Sequence, residues 1–458
     1  MNFDRIRNVY FVGIGGIGMS ALARYFKANG YNVSGYDRTQ TQLTGELQKE
    51  GISICFDDDL NLVCDAFKDT ESTLVVYTPA ITASNNQLCF FKDNGFEIKK
   101  RSEVLGILTR QRKGICIAGT HGKTTISTMV SHLLKQSEVD CSAFLGGVSQ
   151  NYKSNLLLSS KSDYVVLEAD EFDRSFLQLS PYLALISSMD ADHLDIYGDE
   201  NSVKKSFAYF ASLVKEDGIL LLEKRIKLQG ENKGNIKRYT YSVDDQTADF
   251  HAQNIRLVEG LYQFDLHTPE GIVTDLLLGI PGMVNVGNAV GACASAVLVG
   301  VKGEEIRKSL PEFKGIRRRF DYRIKRNDLV LIDDYAHHPE EINATINSVK
   351  ALYGDKRITG VFQPHLFSRT KDFHKEFAQS LSALDELVLL DIYPARELPI
   401  EGVSSQMILD LVDIPVKMIS SKEELYDQLK ALNPEVLLMM GAGDIDKEID
   451  KITDQLSV

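Results

Sequence analysis

An α/β fold of three domains is what the sequence predicts, and three observations carry that prediction. Short apolar runs alternate with segments of helical period along most of the chain. Two of those runs, Asn8–Val12 and Ile115–Ala118, enter glycine-bounded turns that open into helices. A length of 458 residues corresponds to roughly three domains. The expected boundaries are 1–110, 111–316 and 317–458.

The first domain begins with the strand Asn8–Val12, the loop Gly13-Ile14-Gly15-Gly16-Ile17-Gly18 and a helix over Met19–Ala28. Asn32–Tyr36 is the next strand and ends in Asp37. A full G-x-G-x-x-G with an acid about 20 residues further on is the dinucleotide fingerprint of a Rossmann-like unit. The same loop and helix N-terminus suit any pyrophosphate, and a glycine-rich turn also serves close helix–strand packing. Ser72–Tyr77, followed by Thr78-Pro79-Ala80-Ile81, and Phe96–Lys100 supply further strands.

The polar link Arg110-Gln111-Arg112-Lys113 leads into Gly119-Thr120-His121-Gly122-Lys123-Thr124-Thr125 and an amphipathic segment at Ile126–Leu134. Strand, glycine turn and helix form the context of a phosphate loop, although Ile117 stands where the first glycine of G-x-x-x-x-G-K-[ST] belongs. Lys123 is placed to reach the β/γ-phosphates and the Thr124 hydroxyl to ligate Mg²⁺. Strands are expected at Asp163–Leu167, Leu183–Ser187 and Gly218–Leu222, in a mostly parallel sheet with helices. The first ends in Glu168-Ala169-Asp170-Glu171 and the second runs on to Met189-Asp190-Ala191-Asp192-His193. Open α/β sheets bind at the carboxyl ends of their strands; Glu168 is a hard oxygen ligand for Mg²⁺, and His193 suits the ion or a phosphate. Residues 225–279 predict an antiparallel meander. A small-residue helix follows over Gly287–Val299, where Asn285 and Asn288 share a face. They either meet an adenine edge or cap the helix.

The basic run Phe313-Lys314-Gly315-Ile316-Arg317-Arg318-Arg319-Phe320 is a candidate phosphate clamp at the junction to the last domain, or a solvated linker. Strand–helix alternation resumes at Leu329–Ile332, Ile358–Phe362, Leu387–Leu390 and Val436–Met440, again Rossmann-like. Each strand ends in a polar cluster: Asp333–Pro339, Gln363–Thr370, Tyr393–Glu397 and Gly441–Asp444. Four clusters at corresponding positions imply a binding edge.

Composition narrows the partners. Hydrophobic residues are 43% and charged residues 25%, an ordinary globular balance. The net charge of −13 argues against nucleic acid or an anionic membrane as the main partner. The six cysteines include no C-x-x-C pair, which suits a reducing compartment. No apolar run reaches the ~18–20 residues of a membrane span and no signal peptide is visible at Met1–Arg5. The expectation is a cytoplasmic protein without membrane insertion, a monomer or weak homodimer.

The constellation resembles the Mur ligase family, the ATP-dependent amide-forming enzymes of peptidoglycan precursor synthesis, over essentially the whole chain. Gly119–Thr125 matches the family's shortened phosphate loop. Gly13–Gly18 with Met19-Ser20, Asp333–Pro339 and Gln363-Pro364-His365 with Arg369-Thr370 resemble the branch whose substrates are UDP-N-acetylmuramate and L-alanine. The branch that recycles murein tripeptide is the alternative; an NAD-dependent oxidoreductase, resting on Gly13–Gly18 and Asp37, is a rival of another class. The resemblance implies that the first domain holds the UDP-sugar through Gly13, Gly15, Gly16, Gly18, Met19, Ser20, Asp37, Thr78 and Ala80. It implies ATP at Gly119, Thr120, His121, Gly122, Lys123, Thr124, Thr125, Asn285, Asn288, Arg319 and Asp334, and Mg²⁺ at Thr124, Glu168 and His193. It assigns the amino acid to Tyr335, His337, His365, Arg369 and Ala442, and the chemistry to Lys123, His193, Arg319, His337 and His365. Val284 and Leu366 depart from residues common in the family. With Phe207-Ala208 at the position concerned, the carbamylated lysine of several relatives is not expected.

Overall fold

The computed structural model describes residues 5–190, 197, 199–228, 235–395 and 397–457. Three sheets organise them, in an α/β fold of three domains. The first has β1 (Asn8–Val12), β2 (Asn32–Tyr36), β3 (Ser53–Cys55), β4 (Thr73–Tyr77) and β5 (Glu97–Lys100), in the order β3-β2-β1-β4-β5, all parallel. β1 is buried along its whole length, which is why its sequence is a continuous apolar run and not an alternation.

The second sheet has ten strands: β6 (Lys113–Ala118), β7 (Ser142–Ser149), β8 (Ser154–Leu157), β9 (Tyr164–Glu168), β10 (Leu183–Ile186), β11 (Ile219–Glu223), β12 (Lys237–Ser242), β13 (Phe250–Val258), β14 (Leu261–Thr268) and β15 (Gly271–Leu277). β6 lies between β9 and β10, parallel to both. The predicted meander is corrected in part. β14 and β15 are antiparallel, but β12 runs parallel to β11 and pairs parallel with β13 at Tyr241 and Ser242. The turn signals of this segment do not distinguish a hairpin from a chain that crosses over before pairing.

The third sheet has β16 (Asp321–Lys325), β17 (Val330–Asp334), β18 (Ile358–Phe362), β19 (Glu386–Leu389), β20 (Val416–Ile419) and β21 (Val436–Met440), in the order β16-β17-β21-β18-β19-β20. Only β16 is antiparallel to its neighbour. The four strands expected to end in polar clusters are therefore adjacent, with their carboxyl ends on one edge.

Two compact units contain these sheets. One comprises residues 1–256, 263–279 and 286–314; the other comprises 257–262, 280–285 and 315–458. In the first unit a single apolar core runs from Phe11 and Phe26 to Phe144, Phe176 and Phe210, so the first two sheets are packed together. Tyr25 and Phe144 meet at 5.3 Å between ring centroids. The second unit has cores on both faces of its sheet.

Candidate active site

The phosphate loop joins β6 to the helix Lys123–Lys135. Gly122 precedes that helix with φ +81°, and a Cβ there would come 2.6 Å from the Asn288 Oδ1, so the turn and the close approach both need glycine. The segment after β10 braces the loop. Ser188 Oγ accepts from the His121 amide (2.9 Å) and bonds the Thr120 hydroxyl (2.8 Å), which also donates to Asp190 Oδ2 (3.2 Å). Ser187 Oγ donates to the His121 carbonyl at 2.6 Å. The sequence singles out Asp190 and His193 in this stretch but not the two serines. His193 lies outside the described residues.

Lys123 Nζ donates to the Gly119 carbonyl (2.6 Å), weakly to the Thr120 carbonyl (3.4 Å), and to Glu171 Oε1 (2.8 Å). Glu171 is 1% exposed. Burial works against the ammonium, but Glu171, Glu168 and Asp170 outweigh it and hold the Lys123 pKa above its ordinary value. The residue is therefore a fixed cation. Sequence reasoning takes Glu168 from this acidic run and misses Glu171. Thr124 Oγ1 donates to Glu168 Oε2 at 2.8 Å, and a side chain at Gly146 would overlap that carboxylate. A hydroxyl and a carboxylate beside a phosphate-binding helix form the hard-oxygen donor set that Mg²⁺ takes, so Thr124 and Glu168 fit the ion. Thr125 follows in the same first turn.

Asn285 and Asn288 lie inside the helix Met283–Leu298, so neither is its N-cap. Asn285 Nδ2 donates to the Pro281 carbonyl at 2.6 Å, and Asn288 faces Gly122 as described.

At the first glycine loop, the Gly15 amide donates to Asp37 Oδ2 (2.8 Å) and the Thr39 amide to Oδ1 (3.0 Å). Asp37 thus holds the loop through backbone amides. Gly16 and Ala80 are exposed and Gly18 is half-buried. Thr78 packs so that a Cβ on Gly13 would lie 2.6 Å from its methyl. Met19 and Ser20, assigned to the UDP-sugar, lie near the start of the helix Ile17–Ala28. They are 2% and 0% exposed, and Ser20 Oγ donates to the Ile17 carbonyl (2.9 Å) and accepts from Asn155 Nδ2 (2.9 Å). They tie the loop's helix to the central sheet.

The second unit gathers Arg319, Tyr335, His337, His365 and Arg369. Two guanidiniums, Arg318 and Arg319, lie over the Tyr335 ring, each 5.1 Å from its centre. His337 Nδ1 donates to the Tyr335 carbonyl (2.9 Å) and lies 3.3 Å from Glu341 Oε2, which leaves Nε2 as the acceptor. Burial is the main reason its pKa falls to about 4; Glu341 opposes the shift, and Arg369 and Arg319 add to it. His365 stacks on Tyr393 at 5.7 Å and meets His337 edge-on at 6.1 Å. Leu366 precedes the helix Phe367–Leu381 with φ +71°, an uncommon conformation for a branched side chain. Arg369, in the first turn of that helix, makes no hydrogen bond or ion pair to any described residue. Ala442 follows Gly441 at the end of β21. Asp334, assigned to ATP, is 7% exposed, and its oxygens accept from the Phe320 (2.7 Å) and Ala336 (2.8 Å) amides. It shapes the loop that carries Tyr335 and His337.

Comparison with known proteins decides the family. Models described as Mur ligase family, catalytic domain, Mur ligase middle domain, and Mur ligase, glutamate ligase domain match residues 8–113, 117–296 and 318–443. The chain belongs to the Mur ligase family. Among this family, a UDP-N-acetylmuramate--L-alanine ligase of Parabacteroides distasonis is 54% identical over 456 residues, 100% of this chain and 98% of that protein. A protein of the same name from Porphyromonas gingivalis is 52% identical, over 98% of this chain and 99% of its own length. The crystal structure of a Thermotoga maritima UDP-N-acetylmuramate-alanine ligase superposes with a TM-score of 0.83 at 26% identity, covering 98% of this chain and 99% of that one. A Psychrobacter arcticus murein peptide ligase shares the Mur ligase fold, with a TM-score of 0.71 at 22% identity over 98% of each chain.

Proposed function

We propose that this protein joins L-alanine to the carboxylate of UDP-N-acetylmuramate at the expense of ATP, releasing ADP and phosphate. The full-length identity to ligases of that name supports the substrates. One observation carries the chemistry: the same chain holds a fixed cation and a hard-oxygen pair at a phosphate loop and an unspent guanidinium beside a neutral histidine. A phosphorylating ligase for a carboxylate and an amine requires both.

A carboxylate and an amine form only a salt in water, so the acid needs a leaving group. An oxygen of the sugar acid attacks the γ-phosphorus and ADP departs, leaving an acyl phosphate. Lys123 offsets charge on the moving phosphoryl group, and Arg319 supplies a second cation. Thr124 and Glu168 would hold Mg²⁺, which neutralises phosphate charge when bound. Asn285 and Asn288 are assigned to the adenine, and the Gly13–Gly18 loop to the sugar nucleotide's diphosphate. In the last domain Arg369 takes the alanine carboxylate. His337 is neutral at pH 7 and accepts from the amine through Nε2. The amine attacks the acyl carbon, phosphate leaves and the amide remains. A group with a pKa of about 4 is a weak base, so His365 is the imidazole assigned to the released proton. The enzyme acts in the cytoplasm, as a monomer or weak homodimer, with nucleotide boundaries at 1–110 and 111–316 and the amino-acid domain at 317–458.

The test is phosphate release from ATP with the sugar nucleotide and single amino acids. The expected result is turnover that needs both UDP-N-acetylmuramate and an amino acid, with L-alanine preferred. Equal ATP hydrolysis without either, or turnover with murein tripeptide alone, overturns the assignment.

A further inference from the structure

The imidazole and the guanidinium assigned to opposite halves of this reaction share one carboxylate. Glu341 lies in the first turn of the helix Pro339–Tyr353, which begins straight after His337-His338. Its Oε2 accepts from the His337 amide at 3.1 Å and lies 3.3 Å from His337 Nδ1. Its Oε1 lies 3.9 Å from Arg319 Nη1. Between them stands Tyr335, whose carbonyl takes the His337 Nδ1 proton at 2.9 Å and whose ring meets His337 edge-on at 5.3 Å. The Arg319 guanidinium covers the same ring. The first turn of a helix favours an acid, but that preference is met equally by Glu340, which occupies the same turn. Glu341 is the one of the two whose oxygens are directed to His337 and Arg319.

We infer that Glu341 is a positioning residue that sets His337 for the amine and Arg319 for the phosphoryl group at once. It touches neither substrate in this assignment. It fixes the His337 tautomer and ring plane from the Nδ1 side, so that Nε2 is the nitrogen presented, and it restrains the Arg319 fork over Tyr335. The inference rests on the ligase reading for what the two groups act upon, but the geometry of the carboxylate stands by itself.

Glu341→Gln preserves size and one acceptor and removes the charge; Glu341→Asp retains the charge on a shorter stem. Two half-reactions separate the roles. Without alanine, acyl phosphate is trapped by hydroxylamine, which displaces phosphate to give a hydroxamate; this reports Arg319. With alanine, the amide rate reports His337. Loss of the charged hydrogen bond at the His337 end and of the ion pair at the Arg319 end is expected to slow both by about tenfold to a hundredfold in the Gln variant, with partial rescue in the Asp variant. The pH profile supplies a readout that a loosened loop would move the other way. The charged groups facing His337 are Glu341 from its own segment, Arg319 from the turn before β16 and Arg369 from the helix after His365. Removing Glu341 leaves the two cations as the largest charges acting on His337 among the described residues, with the His365 ring edge-on at 6.1 Å, so the acid limb of the alanine kcat/KM should move to lower pH. The His337 ring, followed by NMR and assigned with His337→Gln, should titrate lower as well. An acid limb that moves up towards an ordinary imidazole, or hydroxamate formation at the wild-type rate, overturns the inference. The ring titration needs no turnover, so a wild-type protein without ligase activity would refute the proposed function while leaving the Glu341–His337 arrangement testable.

Discussion

Replacing Arg369 by lysine should separate recognition of the amino acid from everything else in the molecule. The guanidinium is half-buried in the first turn of the helix Phe367–Leu381. It has no hydrogen-bonding or ion-pairing partner among the described residues, so the substitution breaks no side-chain bond among them. Stability should change by no more than about 0.5 kcal/mol. The positive charge that helps hold His337 neutral is retained. What disappears is the planar fork. A carboxylate accepts two parallel N–H bonds from arginine and one from an ammonium. Leu366, in the turn before the helix, offers no second guanidinium. The lost charged hydrogen bond is worth about 1.5–3 kcal/mol, which corresponds to a rise in the alanine KM of roughly 10- to 150-fold at about 1.4 kcal/mol per decade. The KM for ATP should change less than about twofold, because Lys123, Thr124, Glu168 and Arg319, the groups assigned to its phosphates, have Glu171, Glu168, Thr124 and Glu341 as their partners and not Arg369. Initial rates of phosphate release, with each substrate varied at saturation of the others, measure both constants. A collapse of ATP affinity with unchanged alanine affinity would place Arg369 at the nucleotide and refute the pocket.

Lys123→Ala should lower turnover by at least ~10²-fold and also destabilise the protein, by about 3–5 kcal/mol, because it takes the cation away from the buried Glu171 carboxylate; calorimetry should show much of that loss recovered in Lys123→Ala/Glu171→Gln, and an unchanged Tm in the single variant would deny the ion pair. Gly146→Ala should raise the Mg²⁺ concentration for half-maximal rate at least about tenfold, since the new methyl displaces the Glu168 carboxylate; a normal Mg²⁺ titration would remove Glu168 from the ion. For pH, His337 titrates near 4 when folded and near ~6.5 when unfolded, so the unfolded chain binds more protons between those values. Wild-type stability should therefore fall relative to that of His337→Gln as pH drops from about 6.5 to about 4, and parallel urea-denaturation curves across that window would count against a buried neutral ring.

What the sequence makes legible here follows from where each signal is stored. β1, β2, β18 and β21 occur at the residues expected; for β1 and β21 the reason is that a buried parallel strand is a mainly apolar run stopped by a glycine or a polar residue. β20 was not expected. All four of its residues are half-buried, and Val-Lys-Met-Ile satisfies neither the alternating nor the continuous pattern. The same distinction divides the site. Lys123, Thr124 and the glycines before them act through local backbone geometry, so a short motif encodes them. Their supports do not: Glu171 meets Lys123 from 48 positions away, and Ser187 meets the His121 carbonyl from 66. These pairings exist only because β9 and β10 flank β6 in parallel register. Strand order is a tertiary fact, and no window along the chain contains it. Ser20 and Asp334 show the same division: a motif nominates both, and the bonds they accept from Asn155 and the Phe320 amide come from packing. A motif thus nominates residues near a ligand, and the pairing of distant strands decides which of them face it and which hold the others in place.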